Sequence, residues 1–419
     1  MASEQAKVEV TRRRVFYIPG YDPIHPRRYR ELYRSEGAAQ AEISGYRLNL
    51  SPKAKGATYG WHVTGEIDHA VTNAQVDVLV WSDIVRDSMA TDIPRTYLQL
   101  ARTAWTYIGS GALRRLMLLR KGPVIAALYP VGMLLLQLVL ALVAFLVVWG
   151  LVDRVFGLLP AATPAVVLTI GSWIGAAAGA VAGVALLRWF KKKDGRFFAY
   201  YLMHDYAFSA RWGGANPPAL EERMAEFADT IATALKQDTD EVLIVGHSSG
   251  AHLAVSVLAD LIRQGRVSDG GPVLSFLSLG QVVPMVSFLP KADRLRRDLH
   301  FLSSRDELTW IDVTAPGDGC AFALCDPVAV SGVGPADKKW PLVFSAAFTQ
   351  TLSPQRWKEL RWRFFRLHFQ YLCAFDRPKD YDYFQITAGP MTLADRYQDR
   401  PPSRSRIDIA VSRHTSMAA

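Results

Sequence analysis

The stretch Val242-Leu243-Ile244-Val245-Gly246-His247-Ser248-Ser249-Gly250 joins a short apolar run to a helix-like segment over residues 251–262. Between a strand and a helix, the pattern Gly-x-Ser-x-Gly predicts a sharp turn that strains the serine backbone and lifts its hydroxyl above the sheet edge. The amino end of the following helix faces the same point and favours negative charge there. Ser248 is therefore a candidate nucleophile, and a purely structural Gly-Ser turn is the alternative.

The elements around this turn alternate between strands and helices. Apolar runs predict buried strands at residues 15–18, 76–81, 273–279 and 308–313, and other segments predict helices at 27–41, 218–236 and 291–299. Such alternation predicts an α/β fold, with a mostly parallel sheet covered by helices on both faces. A chain of 419 residues with 50% apolar content fits one large domain that carries an insertion.

The composition of the chain indicates the cellular compartment of the protein and the class of partner that it binds. The three cysteines, Cys320, Cys325 and Cys373, show no metal-ligand spacing and indicate a reducing compartment. Residues 2–14 are polar and basic, so we expect no secretory leader there. The net charge is +9, but the Lys and Arg residues do not alternate with aromatic residues as they do in RNA-binding proteins. We therefore expect no nucleic-acid partner.

Two uncharged segments, at about residues 123–149 and 160–187, are each long enough as helices to cross a hydrocarbon core of ~30 Å. In the second, Gly175, Gly179 and Gly183 recur every fourth residue and allow a neighbouring helix to approach closely. The short connection through Asp153 and Arg154 makes the two spans an antiparallel transmembrane hairpin. A pair of long core helices is the alternative.

Cationic residues mark the outer ends of this hairpin. They are Arg114, Arg115, Arg120 and Lys121 before it, and Arg188, Lys191, Lys192, Lys193 and Arg196 after it. By the positive-inside rule, both outer ends are expected in the cytoplasm, together with the soluble domain and both chain termini. Residues 92–120, which carry Tyr97, Trp105 and Tyr107, fit an interfacial helix and an ordinary surface helix equally.

These patterns define four expected regions. Residues 1–90 form the amino-terminal part of the soluble domain, and 91–196 form the interfacial helix and the hairpin. Residues 197–395 form the carboxy-terminal part of the same domain. Residues 396–419 are rich in Arg, Ser and Pro and lack an apolar period, so we expect a disordered tail.

Residues 10–90 and 200–375 resemble the α/β hydrolase superfamily of serine esterases and lipases, with the hairpin inserted before the nucleophile strand. The resemblance implies an oxyanion hole built from backbone N–H groups. One half comes from the loop after the early strand, here Ile18-Pro19-Gly20-Tyr21, where Pro19 replaces the usual histidine. Gly20 or Tyr21 would supply that donor, and Ser249 would supply the second.

The family's chain order is serine, acid and then histidine, which implies both partners beyond Ser248. Asp318, in the turn Ala315-Pro316-Gly317-Asp318 after a predicted strand, is the expected acid. Asp312 and Asp326 are alternatives, and a turn-forming role for Asp318 stays open.

Among the nine histidines, only His368 and His414 follow Asp318. His414 lies in the polar tail, so His368 is the expected base. Residues 362–371 predict an aromatic, basic amphipathic helix around it, whereas the family places this histidine on a loop; a packing or interfacial histidine is the alternative. His247 and His252 flank Ser248, but their spacing does not stack them on one helix face, so no metal site is expected.

Together these residues predict a membrane-anchored serine hydrolase that cleaves an ester or thioester through Ser248, His368 and Asp318, with no cofactor or metal. Membrane anchoring suggests a lipid or acyl substrate, and the basic, aromatic residues 357–371 suit anionic headgroups. The alternative is a non-catalytic membrane scaffold that retains an α/β hydrolase fold. A transporter is disfavoured because Gln137 is the only amide in either span.

Overall fold

The computed structural model describes residues 9–54, 56, 58–89 and 92–418, and these form two compact units. The first, which we call the sheet unit, comprises the described residues within Met1–Asp87, Thr106–Val124 and Trp212–Ala419. The second, which we call the hairpin unit, comprises those within Ser88–Trp105 and Ile125–Arg211. These boundaries differ from the expected ones, because residues 106–124 belong to the sheet unit and residues 197–211 to the hairpin unit.

One eight-stranded sheet organises the sheet unit. Its strands are β1 (Arg12–Ile18), β2 (Arg47–Pro52), β3 (Tyr59–Ile67), β4 (Ala70–Val78), β5 (Glu241–His247), β6 (Val273–Leu279), β7 (Leu308–Thr314) and β8 (Leu342–Ser345). The spatial order is β2-β3-β4-β1-β5-β6-β7-β8. From β4 to β8 every neighbouring pair is parallel, whereas β2, β3 and β4 pair antiparallel. The predicted α/β class with a mostly parallel sheet is confirmed.

Burial explains why β1 and β5 lie in the centre. All seven residues of β5 are buried, as expected for a parallel strand covered on both faces. Most of β2 is exposed, which suits its position at the sheet edge. Register pairs Ile18 with Gly246 and His247 with Leu279, so the carboxyl ends of β1, β5 and β6 meet at one edge. The segments that follow these strands therefore converge there.

Helices flank the sheet and form the hairpin unit. In chain order they are α1 (Arg27–Ser44), α2 (Ser82–Ser88), α3 (Ile93–Gly109), α4 (Ala112–Leu119), α5 (Lys121–Gly157), α6 (Ala165–Lys192), α7 (Asp194–Phe197), α8 (Ala199–Arg211), α9 (Pro218–Ala234), α10 (Gly250–Arg263), α11 (Val283–Ser287), α12 (Asp293–Leu302), α13 (Pro327–Val330), α14 (Phe348–Thr351), α15 (Pro354–Leu360), α16 (Phe364–His368), α17 (Tyr383–Ala388) and α18 (Leu393–Tyr397). A 3₁₀ turn, Gln370–Leu372, follows α16. The expected single helix over residues 92–120 is thus two helices, α3 and α4.

The carboxy-terminal tail is bound to the sheet unit, in contrast to the expected disorder of residues 396–419. Ile407 exchanges backbone hydrogen bonds with the segment before α13, donating to Leu324 O at 2.7 Å and accepting from Asp326 N at 2.8 Å. Further along, Val411 N donates to Val330 O at 3.0 Å. Main-chain hydrogen bonds, which need no apolar period, hold this segment in place.

The hairpin unit contains the two predicted spans. Both α5 and α6 are long and apolar enough to cross a membrane, and few side chains in their most apolar windows are buried. The glycines of α6 contact α5 directly: a Cβ on Gly179 would lie 2.6 Å from Phe145 O, and one on Gly175 would lie 2.8 Å from the Trp149 ring. Close backbone approach through small residues is how apolar helices pack in lipid.

A larger residue at Gly179 should therefore separate the two helices. We expect Gly179→Leu to destabilise the hairpin by about 1–3 kcal/mol, as overpacking does in a filled interface. Gly150→Leu is the matched control, since a Cβ at Gly150 meets no atom within 4 Å. Thermal denaturation in detergent should show a lower midpoint for Gly179→Leu alone, and equal midpoints for the two variants would contradict this packing.

Candidate active site

The turn between β5 and α10 holds Ser248 in a left-handed backbone conformation. Its φ is +56°, a region that non-glycine residues rarely occupy and that costs about 1–3 kcal/mol. Ser248 N donates to Leu279 O at 2.9 Å, and Ala251 N donates to Ser248 O at 3.1 Å. These two bonds fix the turn on both sides. Ser248 is partly exposed, whereas His247 and Ser249 on either side of it are buried.

The loop after β1 packs against this turn. A Cβ on Gly250 would lie 2.0 Å from Ile18 O, so the position requires glycine. Gly20 lies directly beside the serine, because a Cβ there would come 2.9 Å from Ser248 Cβ and 3.3 Å from Ser248 Oγ. Trp81 Nε1 donates to Pro19 O at 2.9 Å and holds the loop in this position. The predicted loop is thus in contact with the predicted nucleophile.

Two backbone amides at this contact have no hydrogen-bond acceptor among the described residues. Neither Gly20 N nor Ser249 N donates a hydrogen bond to any described residue of the chain. Gly20 packs against Ser248, and Ser249 follows Ser248 in the chain. Available N–H groups beside a serine hydroxyl can bind an oxyanion that forms there. The aromatic ring of Tyr21, the other expected donor residue, packs edge-on against Trp81 with centroids 6.1 Å apart.

Asp318 and His368 are hydrogen-bonded to one another, although 50 residues separate them in the chain. Asp318 Oδ2 lies 2.7 Å from His368 Nδ1, and both side chains are buried. Asp318 Oδ2 also accepts from the Tyr371 hydroxyl at 3.0 Å, while Oδ1 accepts from Cys320 N at 2.9 Å. Three donors therefore fix this carboxylate in the turn after β7.

These donors also control the ionisation of the Asp318 carboxyl. Burial alone would raise the pKa of the Asp318 carboxyl, because it removes water from the charged form. The charge of His368 and the hydrogen bonds from His368, Cys320 and Tyr371 outweigh burial and hold that pKa below its ordinary value. Asp318 is consequently an anion at neutral pH. An anion at this position keeps the proton of the neutral imidazole on Nδ1 and leaves Nε2 as the basic nitrogen.

His368 lies at the end of α16, a helix of only five residues, and the 3₁₀ turn follows it. The long amphipathic helix expected over residues 362–371 is therefore wrong in extent. A Cβ on Gly280 would lie 3.1 Å from His368 Cε1, and Gly280 directly follows Leu279, whose carbonyl binds Ser248 N. Ser248 and His368 thus flank the same short segment after β6. Within the described chain, no hydrogen bond joins Ser248 Oγ to the His368 ring.

His247 positions the backbone of His368. Its Nε2 lies 3.0 Å from His368 O, and a carbonyl can only accept, so Nε2 carries the proton. Its Nδ1 then accepts from the Tyr17 hydroxyl at 3.3 Å. Burial, followed by the proximity of His368, lowers the pKa of His247 to about 3, so the ring stays neutral. This role of His247 was not foreseen from the sequence, where the residue only preceded the serine.

The alternative acids and bases are engaged elsewhere. Asp312 accepts from Ser278 Oγ at 2.6 Å, and burial raises its pKa to about 8. Asp326 caps α13 through Val328 N and forms an ion pair with Lys338 at 2.7 Å. His414 Nε2 lies 3.2 Å from Ser110 O. Of the three candidate carboxylates, Asp318 is the one bonded to His368.

One further group was missed. The ligand atoms of Asp318, Cys320 and His368 all lie within 4.8 Å of one another. The sequence predicted no metal site, because neither the three cysteines nor His247 and His252 have metal-ligand spacing. The spacing Asp318-x-Cys320 was visible in the sequence, but the approach of His368 depends on the tertiary fold.

Buried neutral imidazoles should make the fold sensitive to acid. Burial lowers the pKa of His252 to about 4, whereas an unfolded histidine protonates near pH ~6.5. Between these values only the unfolded chain takes up the proton, so stability falls as the pH falls, by up to about 1.4 kcal/mol per pH unit for one group. We expect His252→Leu to reduce this slope between about pH 6.5 and pH 4. Chemical denaturation in detergent across that range measures the slope, and an unchanged slope would contradict the buried neutral state.

Comparisons with protein-family models, with curated proteins and with solved structures found no match to this chain.

Proposed function

We propose that the protein is a membrane-anchored serine hydrolase of the α/β hydrolase type, acting on an ester or thioester. The observation that carries the proposal is the hydrogen bond of 2.7 Å between Asp318 Oδ2 and His368 Nδ1, beside a serine on a strained strand-to-helix turn. A carboxylate that orients an imidazole next to a serine is the arrangement that activates serine as a nucleophile.

The proposed reaction assigns one role to each residue. His368 Nε2 takes the Ser248 proton as Oγ attacks the acyl carbon, and Asp318 stabilises the imidazolium that forms. The imidazolium then protonates the leaving alcohol or thiol, which leaves an acyl group on Ser248. Water, deprotonated by the same nitrogen, attacks the acyl carbon, and the imidazolium returns that proton to Ser248 Oγ as its bond to the acyl carbon breaks, which releases the acid and free Ser248. Hydrogen bonds between catalytic groups are often long before substrate binds, and the Ser248–His368 contact is proposed to close in the substrate complex.

The oxyanion site is proposed from the donors beside Ser248. The N–H groups of Ser249 and of Gly20 or Tyr21 would bind the carbonyl oxygen as it becomes negative. The amides of Gly20 and Ser249 make no other hydrogen bond within the described chain, which supports this role. One such donor typically contributes about 3 kcal/mol to transition-state stability.

The α/β hydrolase assignment rests on three features of the sheet unit. The strained serine follows a central parallel strand, β5, and opens a helix. The loop after the neighbouring strand β1 contacts that serine, and the proposed acid follows β7. Ligand sites in such sheets lie outside the carboxyl ends of the strands, which is where these residues meet.

The substrate class is proposed from membrane anchoring and from the surface near His368. Trp362 is 73% exposed and Phe364 is 46% exposed, in a segment that also contains Arg361, Arg363 and Arg366. Exposed aromatic residues interspersed with arginine favour the interface of an anionic bilayer. We therefore propose an acyl lipid or another ester that partitions into the membrane, with membrane lipids as the partner.

A fluorophosphonate probe tests the proposal, because it reacts covalently only with an activated serine. We expect labelling of the wild-type protein and complete loss in Ser248→Ala, whose melting temperature should stay close to wild type because a hydroxyl at a turn contributes little to stability. Ser249→Ala is the matched control, since it removes the neighbouring hydroxyl but retains the backbone N–H. Failure to label wild type, or equal labelling of Ser248→Ala, would favour the scaffold alternative.

The acid can be identified by a pair of amide substitutions. We expect Asp318→Asn to lower kcat on a short acyl ester by about 10³–10⁴, because the amide no longer selects the productive imidazole tautomer. Asp312→Asn should leave kcat nearly unchanged, since burial raises the pKa of Asp312 to about 8 and makes its neutral form prevail at pH 7. Steady-state kinetics of both variants decide the assignment; a larger loss in Asp312→Asn would reverse it.

We also propose that the hairpin spans the membrane with the sheet unit and both termini in the cytoplasm. The nine cationic residues flank the outer ends of the hairpin, whereas Asp153 and Arg154, placed in the connection by the sequence, lie near the carboxyl end of α5. A cysteine introduced at Asp153, in a variant without native cysteines, should react with an impermeant thiol reagent added from the non-cytoplasmic side. The same cysteine placed at Asp269 is the control and should react only after permeabilisation. The reverse accessibility would contradict this topology.

A further inference from the structure

The turn that holds the proposed acid brings together three metal-ligand groups. The ligand atoms of Asp318, Cys320 and His368 lie within 4.8 Å of one another. The backbone fixes two of them, because Cys320 N donates to Asp318 Oδ1 at 2.9 Å and so holds the cysteine two residues beyond the carboxylate. The third is fixed by the bond between His368 Nδ1 and Asp318 Oδ2.

The chemistry of this set is selective. Thiolate, imidazole and carboxylate are the ligand types of zinc sites. Three protein ligands and one water molecule in the fourth position make a tetrahedral site. With bonds of ~2.0–2.3 Å at tetrahedral angles, two ligands of one ion lie about 3.3–3.5 Å apart, so closure from 4.8 Å needs about 1–1.5 Å of movement, shared between side chains. The contact of 2.7 Å between His368 Nδ1 and Asp318 Oδ2 must widen by about 0.6 Å. Cys320 is partly exposed, whereas Asp318 and His368 are buried, so Cys320 is the member of the group nearest to solvent.

We propose that Asp318, Cys320 and His368 form an inhibitory site for a thiophilic divalent cation, with Zn²⁺ as the preferred ion. Inhibition, as distinct from binding, rests on the proposed hydrolase function. The site lies on the side of the imidazole that faces away from the proton transfer, because its ligand nitrogen is Nδ1 and the proposed base is Nε2.

The mechanism of inhibition follows from the tautomer of His368. Without the ion, the Nδ1 proton is donated to Asp318, and Nε2 has a free electron pair. When Zn²⁺ binds Nδ1, the ring proton moves to Nε2 and the Cys320 thiol releases its proton to solvent as it becomes a thiolate. An imidazole protonated at Nε2 cannot accept the Ser248 proton. The cation also removes Asp318 from its hydrogen bond with the ring.

Binding is tested with Co²⁺, which gives an absorption band in the near ultraviolet when a thiolate coordinates it. The full-length protein in detergent should show this band at one equivalent, and Zn²⁺ should displace it. Cys320→Ser and Cys320→Ala should both lose the band, so that a folding defect in one variant does not decide the result. Cys373→Ser is the matched control, because Cys373 is also a partly exposed thiol but lies outside the group.

Inhibition is tested separately, as hydrolysis of a short acyl ester relative to each variant's own activity without metal. Zn²⁺ should inhibit wild type and Cys373→Ser, and a chelator should restore activity. In Cys320→Ser the inhibitory concentration should rise at least about tenfold, since even outer-shell partners of a metal change affinity by ~10–100-fold.

The two experiments separate the site from the function. A cobalt band in a protein that no fluorophosphonate labels would retain the metal site and reject the hydrolase. A labelled, active enzyme with no band would reject the metal site alone. Activation by Zn²⁺, a band that persists in both Cys320 variants, or equal zinc sensitivity of wild type and Cys320→Ser would each overturn the inhibitory site.

Discussion

The close approach of the Ile18 carbonyl to Gly250 is the constraint on which the site depends. Strand β1 and helix α10 meet there at a distance that leaves no space for a Cβ, 2.0 Å from the carbonyl oxygen. The contact places the loop with Gly20 against Ser248 and directs the amino end of α10 toward the same edge of the sheet. A side chain at residue 250 would separate the loop from the serine.

The parts of the fold that sequence predicted well are those with strong local signals. The runs of β5, β6 and β7 are buried on both faces, so their apolar character is continuous and their bounds were nearly correct. Strand β2 exposes most of its residues at the sheet edge, and such a strand has no apolar run to recognise. The tail was missed for a related reason, since backbone hydrogen bonds such as Ile407 N to Leu324 O hold it without an apolar pattern.

The site shows the same division between local and tertiary information. Ser248 was predicted from the motif of the strand-to-helix turn, which adjacent residues encode, and Gly20, Tyr21 and Ser249 were predicted from the resemblance to the α/β hydrolases. The pairing of Asp318 with His368 joins positions 50 residues apart, and only the folded chain distinguishes it from Asp312 or Asp326. The support of His368 by His247, and the approach of Cys320, could not be read from spacing, because both depend on where α16 ends.

The two hairpin helices lie between strands β1 and β5 in the chain, and this order has a consequence for biosynthesis. Residues Arg13 and Glu241, which pair in neighbouring central strands, are 228 positions apart, and both apolar helices lie between them. During translation β1 emerges long before its partner β5, and the two long apolar helices emerge between them. The central strand pair closes only after these helices have been synthesised, so the core of the sheet unit is completed late. Until then the exposed edge of β1 requires protection from pairing with other chains.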